Sequence, residues 1–198
     1  SIKIEDINVA REKFKYEFEN GTLQVYLKDA KTYTKNKKIE YQNYKGKTPI
    51  YKGRVAKLII TYTDVTTFSL RGEEKITFQT PLNQKECKLR IYGNSQVAIN
   101  TINVDNFNVQ IYGESFLTLN KGTINKQKIT AYGASKMMAS NSASKETKII
   151  AYGDGVYKLN VSKKLKVTAF GEATILYKGK AQLKKGIVIG ESTIKRIQ

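Results

Sequence analysis

Apolar and polar residues alternate on both sides of a glycine that recurs along most of the chain. Residues 88–100 read KLRIYGNSQVAIN, and NVQIYGESFLTLN, KITAYGASKMMAS and KIIAYGDGVYKLN follow at 108–120, 128–140 and 148–160. Apolar residues occupy the positions two and four before the glycine, and four and six after it. A period of two predicts a short strand on each side of the glycine, each with one buried face, joined by a tight bend.

This glycine marks a repeat of about twenty residues. Its seven copies are spaced by 21, 20, 20, 20, 18 and 19 residues, at Gly72, Gly93, Gly113, Gly133, Gly153, Gly171 and Gly190. One such unit cannot bury its own apolar face, whereas copies stacked on one another can. The sequence therefore predicts an all-β protein, a parallel β-helix (single-stranded β-solenoid) of about seven coils in which equivalent strands pair.

Residues 1–57 lack the repeat, and we expect them to form an N-terminal strand and hairpin cap on a solenoid that spans residues 58–198. FKYEFENGTLQVYL at 14–27 alternates around Asn20-Gly21, a dipeptide typical of a β-hairpin turn. Residues 28–54 are polar, basic and rich in tyrosine, which favours a long loop. A cap is expected because the open edge of a solenoid promotes aggregation.

Charge and composition restrict the chemistry. The 198 residues carry 35 Lys and Arg against 17 Asp and Glu, a formal net charge of +18, which favours either an anionic partner or a well-solvated surface. The absence of histidine removes the usual general base, and the single Cys87 allows no intrachain disulfide. The sequence has no apolar run of 18 residues. Ser1 begins in strand-like sequence without a methionine, which indicates a processed or trimmed chain.

Two rows of side chains are predicted on the outer face of the strands that precede the glycine, because strand alternation directs both rows away from the core. Directly before the glycine, the aromatic row comprises Tyr92, Tyr112, Tyr132, Tyr152 and Phe170. Five residues before the glycine, the lysine row comprises Lys88, Lys128, Lys148, Lys166 and Lys185, with Asn108 in one place.

These rows have two interpretations. Stacked rings rigidify a solenoid, or pack under residues 28–57 or a second chain. Alternatively, the ring faces and ammonium groups form a flat binding surface, with tyrosine faces for sugar rings or bases and lysines for carboxylates, sulfates or phosphates. Like charges stacked along a sheet repel each other, which favours a bound counter-ion, although a solvated lysine edge also discourages sheet-to-sheet aggregation.

A third row, directly after the glycine, is acidic in most copies. One acid per coil is too few for a calcium site and offers no pair of carboxylates for glycoside hydrolysis. We therefore expect no metal, no cofactor and no catalytic residue, and we expect these acids to pair with neighbouring lysines. The acidic row comprises Glu73, Glu114, Asp154, Glu172 and Glu191.

A fourth row lies seven residues after the glycine, where Asn100, Asn120 and Asn160 stand in three of the copies. Asparagines stacked on successive turns predict a row of amide hydrogen bonds.

The segments ENGTLQVYL and KLIITYTDVTTFSLRGEEKITF and the repeated IYGES and AYGDG units resemble the DUF2807 family, the auto-transporter adhesin head GIN domain. The resemblance covers the chain from about Phe14 to the end. It implies a right-handed parallel β-solenoid in a secreted, periplasmic or outer-membrane surface protein of bacteria, often of the Bacteroidetes type. It brings no established active site. An aromatic residue before most glycines departs from the common form, in which small or polar residues stand there.

These observations favour a non-catalytic, adhesin-like binding module of a bacterial cell surface or periplasm. We expect it to contact an acidic polysaccharide or lipopolysaccharide through the aromatic and lysine rows. The alternative is a rigid structural or assembly protein of the cell envelope, with oligomers formed through the aromatic face. A carbohydrate-active β-helix enzyme and a nucleic-acid binder fit fewer features, because the sequence has no opposed acids and no known RNA-binding motif.

Overall fold

The computed structural model describes residues 1–31, 35–41 and 44–198 and divides the chain into two compact units, Ser1–Asp64 and Val65–Gln198. In its described residues, the first unit contains a short 3₁₀ helix, Arg11–Lys13, and six strands. The strands are β1 (Ile2–Ile7), β2 (Phe14–Glu19), β3 (Thr22–Leu27), β4 (Asn36–Tyr41), β5 (Tyr44–Pro49) and β6 (Ala56–Ile60). They form three antiparallel pairs, β1 with β6, β2 with β3, and β4 with β5.

The hairpin predicted at Asn20-Gly21 is confirmed. Glu19 of β2 pairs with Thr22 of β3, and both turn residues have positive φ, 49° for Asn20 and 72° for Gly21. Two positive φ angles match the turn whose twist suits a two-residue hairpin loop.

The expectation of a long loop over 28–54 is wrong for much of that segment. Strands β4 and β5 pair from Asn36↔Pro49 to Tyr41↔Tyr44. The remaining part of the predicted loop includes residues 32–34 and 42–43, which lie outside the described residues. Capping of the solenoid by residues 1–57 stays a prediction.

The second unit is a parallel β-solenoid of about six turns, slightly fewer than the seven coils expected. Its strands are β7 (Thr67–Gly72), β8 (Lys75–Phe78), β9 (Leu82–Gly93), β10 (Gln96–Ile99), β11 (Ile102–Gly113), β12 (Phe116–Leu119), β13 (Gly122–Tyr132), β14 (Lys136–Tyr152), β15 (Val156–Phe170), β16 (Thr174–Lys178), β17 (Gln182–Ile189) and β18 (Thr193–Arg196). Strands before the glycine stack in the order β7-β9-β11-β13-β14-β15-β17, and strands after it stack from β8 through β10 and β12 to β18.

The predicted core positions are confirmed. From Leu89 to Tyr177, every inward position of the repeat is buried, including Ile91, Leu117 and Met137. The repeat pairs equivalent residues twenty apart, so that Ile111 lies between its equivalents on the two neighbouring turns. Burial of this apolar column supplies the main stabilisation of the unit.

A row of buried serines, not foreseen from the sequence, holds the bend two residues after the glycine. Ser95 donates from Oγ to the carbonyl of Gly72 at 2.9 Å, and Ser115 donates to that of Gly93 at 3.0 Å. Ser135 follows on the next turn, and Gly155 stands at the equivalent position of the turn after that. There the hydroxyl of the fully buried Tyr157 reaches into the space, 2.9 Å from Ser135 Oγ. The bends that follow Gly93, Gly113, Gly133 and Gly153 therefore each contain one hydroxyl group, whereas the bend after Gly171 has the buried Ala173.

Candidate functional site

The aromatic row forms a continuous stack of rings. Strand register places each residue opposite its equivalent on the next turn, because the parallel strands pair Tyr with Tyr from 92 to 152 and then Tyr152 with Phe170. Successive ring centroids lie 4.9, 5.0, 4.7 and 5.0 Å apart, with interplanar angles of 3–5°. The centroid distance follows the spacing of neighbouring strands.

This stacking changes what the row offers to a ligand. Both faces of Tyr112, Tyr132 and Tyr152 are occupied by neighbouring rings, and the guanidinium of Arg71 lies 4.6 Å from the centroid of Tyr92. The expected flat surface of ring faces is therefore wrong. Tyr132 and Tyr152 are 38% and 36% exposed. Ring edges and phenolic hydroxyls form the accessible part.

The lysine row lies four residues before the aromatic row on the same strands. Lys88, Lys128 and Lys148 are exposed, whereas Lys166 is half-buried. Strand register pairs Lys128 with Lys148 and Lys148 with Lys166. Four residues of extended strand separate the two rows by about 13 Å.

One member of the lysine row was wrongly assigned from the sequence. Lys166 pairs with Lys184, whereas Lys185 pairs with Val167. The strand register shifts between Val167 and Ala169. Counting five residues back from Gly190 therefore gives Lys185, whereas the residue equivalent to Lys166 is Lys184. A single shift of this kind moves a side chain to the opposite face of its strand.

A cavity of about 410 Å³ opens beside the lysine row. Two residues before the row, Lys126 and Lys164 line the same cavity, together with Glu146. We call this cavity the lysine pocket, and its lysines are Lys126, Lys128, Lys148, Lys164 and Lys166. Sequence reasoning missed Lys126 and Lys164, although KQK at 126–128 and KKLK at 163–166 occupy equivalent positions in the repeat.

The charges of the pocket are not neutralised by the chain itself. Among the described residues, ion pairs within 4.0 Å involve only residues of the first unit. Five lysines face one glutamate in the lysine pocket, and residues 65–198 as a whole carry 21 Lys and Arg against 9 Asp and Glu. The expected salt pairs between the acidic row and the lysines are therefore not formed in the described part of the chain.

Two residues near the lysine pocket, Asn108 and Gln127, each have a buried amide atom without a hydrogen-bond partner. Gln127, 5% exposed, points inward in a column that is apolar at Phe107 and Leu165, and its Nε2 has no hydrogen-bond partner. Oδ1 of Asn108 is likewise buried without a partner. Asn108 lies in the outward row of Lys128 and Lys148, whereas the side chain of Gln127 lies on the core side of its strand, where Thr147 Oγ1 donates to its Oε1 at 3.2 Å. A buried polar group without a partner costs about 1–3 kcal/mol.

The other expected rows differ in outcome. The asparagine row forms one bond, from Asn120 Nδ2 to Asn100 Oδ1 at 3.1 Å, and a second row unforeseen from the sequence links Asn103 Nδ2 to Asn83 Oδ1 at 2.9 Å. The acidic row is exposed at Glu114 and at its other carboxylates.

Within ranges 1–31, 35–41 and 44–198, no three acidic or cysteine side chains are grouped to hold a metal ion. No described helix has the length and apolar character needed to cross a membrane.

Solved structures share this architecture. A putative adhesin from Bacteroides fragilis superimposes with a TM-score of 0.74 at 19% identity, covering 94% of this chain and 77% of that one. A putative adhesin from Parabacteroides merdae gives 0.60 at 18% identity, covering 100% and 82%. A putative lipid binding protein from Parabacteroides distasonis gives 0.60 at 14% identity, covering 94% and 80%. At these identities the likeness shows the fold alone.

The sequence comparison extends across most of the chain. No curated protein matches it. Residues 1–181 match the family described as "Putative auto-transporter adhesin, head GIN domain". The match includes the first unit and nearly all of the solenoid. The chain therefore belongs to the DUF2807 family.

Proposed function

We propose that this protein is a non-catalytic, adhesin-like module of a bacterial cell surface that binds an acidic polysaccharide. The observation that carries the proposal is the lysine row, unpaired within the described residues, on the same outer face as the aromatic row, in which Tyr132 and Tyr152 are exposed. A surface that repeats at each turn suits a ligand that is itself a repeating polymer. The family description, which names an auto-transporter adhesin, supports the same assignment.

The mode of contact follows from the ring geometry. Because neighbouring rings occupy the tyrosine faces, sugar rings meet the edges of the stack and hydrogen-bond to its hydroxyls rather than lying flat on the faces. The lysines supply attraction for carboxylates or sulfates along the polymer, and this attraction weakens with salt.

A non-catalytic role is supported by the distribution of acids. Glycoside hydrolysis uses two carboxylates flanking the bond that is cleaved. In the described part of the chain, the acidic row has one exposed carboxylate per turn at Glu114, Asp154 and Glu172, and Ala134 interrupts the row. The sequence contains no histidine to act as a base.

A binding titration tests the proposal. Polygalacturonate and its neutral methyl ester are titrated into the full chain at several salt concentrations, using wild type, Tyr112→Phe/Tyr132→Phe and Tyr112→Ala/Tyr132→Ala. We expect binding of the acidic polymer to weaken with salt. The Phe variant keeps the stack and loses two hydroxyls, so its affinity should fall about tenfold, from two lost hydrogen bonds at roughly 0.5–1.5 kcal/mol each. The Ala variant should bind still more weakly, with an unchanged far-UV circular dichroism spectrum.

Two results would contradict the proposal. Equal binding by wild type and both variants would leave only diffuse charge attraction. Absence of binding to any acidic polysaccharide would favour the second candidate, a rigid structural protein of the cell envelope. The occupied ring faces support that candidate, because a closed stack of five rings stiffens the sheet without any ligand.

A further inference from the structure

We propose that the last turn of the solenoid docks on the surface of a bilayer that contains anionic phospholipids, with Ile187 and Ile189 against the lipid and basic side chains paired with headgroup phosphates. This inference goes beyond the proposed function, because it assigns a second partner to one end of the solenoid and holds whether or not a polysaccharide binds. It combines an exposed group of aliphatic side chains with a positive charge that is concentrated in the same half of the solenoid.

The last turn ends in an open edge that exposes aliphatic side chains. In the described part of the chain, β17 pairs only with β15, and β18 pairs only with β16. Three consecutive residues of β17, which we call the aliphatic cluster, are exposed: Ile187 at 60%, Val188 at 37% and Ile189 at 60%. Ile189 pairs with Phe170, so it ends the aromatic row on the outer face, and strand alternation places Ile187 on that face as well. A run of exposed apolar residues marks an interaction surface.

The charge of the solenoid is concentrated in the half that contains the aliphatic cluster. Residues 65–120, which form β7 to β12, carry five Lys and Arg against five Asp and Glu. Residues 121–198, which form β13 to β18, carry sixteen against four, a formal net charge of +12. Within the solenoid, the attraction of an anionic surface therefore acts on the last turns.

Basic side chains flank the aliphatic cluster on both strands of the last turn. Lys184 and Lys185 precede it on β17, and Lys195 and Arg196 lie on β18, where all four are exposed. Lys184 pairs with Lys166, which places it in the lysine row on the outer face. Such side chains contact apolar groups along their stems while their charged ends reach phosphates. Each basic residue near an anionic bilayer strengthens binding about fivefold.

The backbone of the last turn limits how deeply it enters the bilayer. The outer edges of β17 and β18 carry N–H and C=O groups without strand partners in the described part of the chain. Hydrocarbon offers such groups no hydrogen bonds. The edges therefore stay in the hydrated headgroup region, while the side chains of Ile187 and Ile189 reach the boundary with the acyl chains.

Charge distinguishes a bilayer from other occupants of this surface. A second copy docked through the same turn would bring two halves of charge +12 together, and like charges repel. The chain exposes another apolar patch on the β2–β3 hairpin, at Tyr16 (64%) and Phe18 (75%). Glu17 and Glu19 lie beside these residues on β2, and their carboxylates disfavour anionic headgroups. The last turn is therefore the better site for an anionic bilayer.

Vesicle co-sedimentation tests the inference with the full chain. The vesicles are phosphatidylcholine with increasing fractions of phosphatidylglycerol, at several salt concentrations. The variants are Ile187→Ser/Ile189→Ser and Lys184→Gln/Lys195→Gln, all at exposed positions where the fold should be retained. One control, Lys75→Gln/Lys85→Gln, removes two exposed charges from the neutral half. A second control, Phe18→Ser, removes an exposed apolar side chain from the hairpin.

An introduced tryptophan reports the contact directly, because the chain contains none. Ile189→Trp places the indole in the aliphatic cluster. Thr77→Trp, at an exposed position of β8 in the neutral half, is its control. The fluorescence emission of an indole shifts to shorter wavelength when the ring moves from water into lipid.

We expect binding that requires phosphatidylglycerol and weakens with salt. Affinity should fall about 25-fold in Lys184→Gln/Lys195→Gln, about fivefold for each lost lysine, and at least about tenfold in the isoleucine variant. Both controls should bind like wild type. Vesicles should shift the emission of the Ile189→Trp variant and leave that of the Thr77→Trp variant unchanged.

Four outcomes overturn the inference. Absence of binding to phosphatidylglycerol vesicles does so and leaves the proposed function unaffected. Equal losses in the two lysine variants would show diffuse charge attraction rather than docking of the last turn. A loss in Phe18→Ser but not in the isoleucine variant would place the contact on the hairpin. An emission shift of the Ile189→Trp variant without vesicles, together with dimers in analytical ultracentrifugation, would identify a second copy as the occupant.

Discussion

Replacing Gly113 with alanine tests how closely successive turns of the solenoid approach each other. The φ angle of Gly113 is +94°, in a region that residues with a side chain rarely adopt. A Cβ added to Gly113 would lie 2.5 Å from the carbonyl oxygen of Gly93 on the preceding turn. Since that oxygen belongs to the backbone of a paired strand, it cannot move away as a flexible side chain would.

The cost of this substitution has two parts. Holding alanine at positive φ costs about 1–2 kcal/mol. The carbonyl of Gly93 also accepts hydrogen bonds from Glu114 N and from Ser115 Oγ, both at 3.0 Å. Displacing that oxygen weakens both bonds, at about 1 kcal/mol each. We therefore expect Gly113→Ala to lower the free energy of unfolding by about 3–4 kcal/mol.

The chain itself provides matched controls. Gly72 has φ +110°, but a Cβ there would meet only the flexible side chain of Glu74, at 3.3 Å. Gly72→Ala should therefore cost only the conformational part, about 1–2 kcal/mol. At Gly133 a Cβ would lie 3.0 Å from the carbonyl oxygen of Gly113, so its cost should be intermediate.

Urea unfolding measures these differences. Far-UV circular dichroism reports the strands and tyrosine fluorescence reports the aromatic row, and coincident curves establish two-state unfolding. The expected order of destabilisation is Gly113→Ala, then Gly133→Ala, then Gly72→Ala. Equal losses at Gly72 and Gly113 would refute the argument, because they would show that backbone conformation alone, and not approach between turns, requires the glycines.

Two further predictions concern the core. Burial raises the pKa of Cys87 to about 12, so thiol reagents at pH 8 should label the protein only after unfolding. The unfolded thiol ionises near its usual pKa of 9.0, so the stability that Cys87 contributes should fall as pH rises above 9; equal pH dependence in Cys87→Ala would contradict this. A Cβ on Gly155 would overlap the hydroxyl of Tyr157 and lie 2.7 Å from the carbonyl oxygen of Ser135, so Gly155→Ser should be destabilising. Tyr157→Leu should partly rescue it in urea unfolding, whereas simple additivity would show that the positions are not coupled.

Much of the solenoid was predictable because its information is local and repeated. Alternation around Gly93, Gly113 and their equivalents predicts strands, buried faces and parallel stacking, and all three are confirmed. The pairing of β4 with β5 was missed, since the lysines and polar residues of 28–54 lack the apolar alternation that normally marks a hairpin. The register shift before Ala169 was missed because a shift inside a strand leaves the glycine spacing nearly unchanged.

The candidate site was likewise predictable from the sequence only in part. The sequence by itself determined the turn length and the two outer rows, because a fixed period places equivalent residues one strand apart. Only the tertiary structure decided that the tyrosines offer edges rather than faces, since ring orientation depends on contacts between turns. The structure alone also brought Lys126 and Lys164 together with the lysine row around one cavity. Neighbours in that pocket lie about twenty residues apart in the chain, and their geometry depends on how the turns pack.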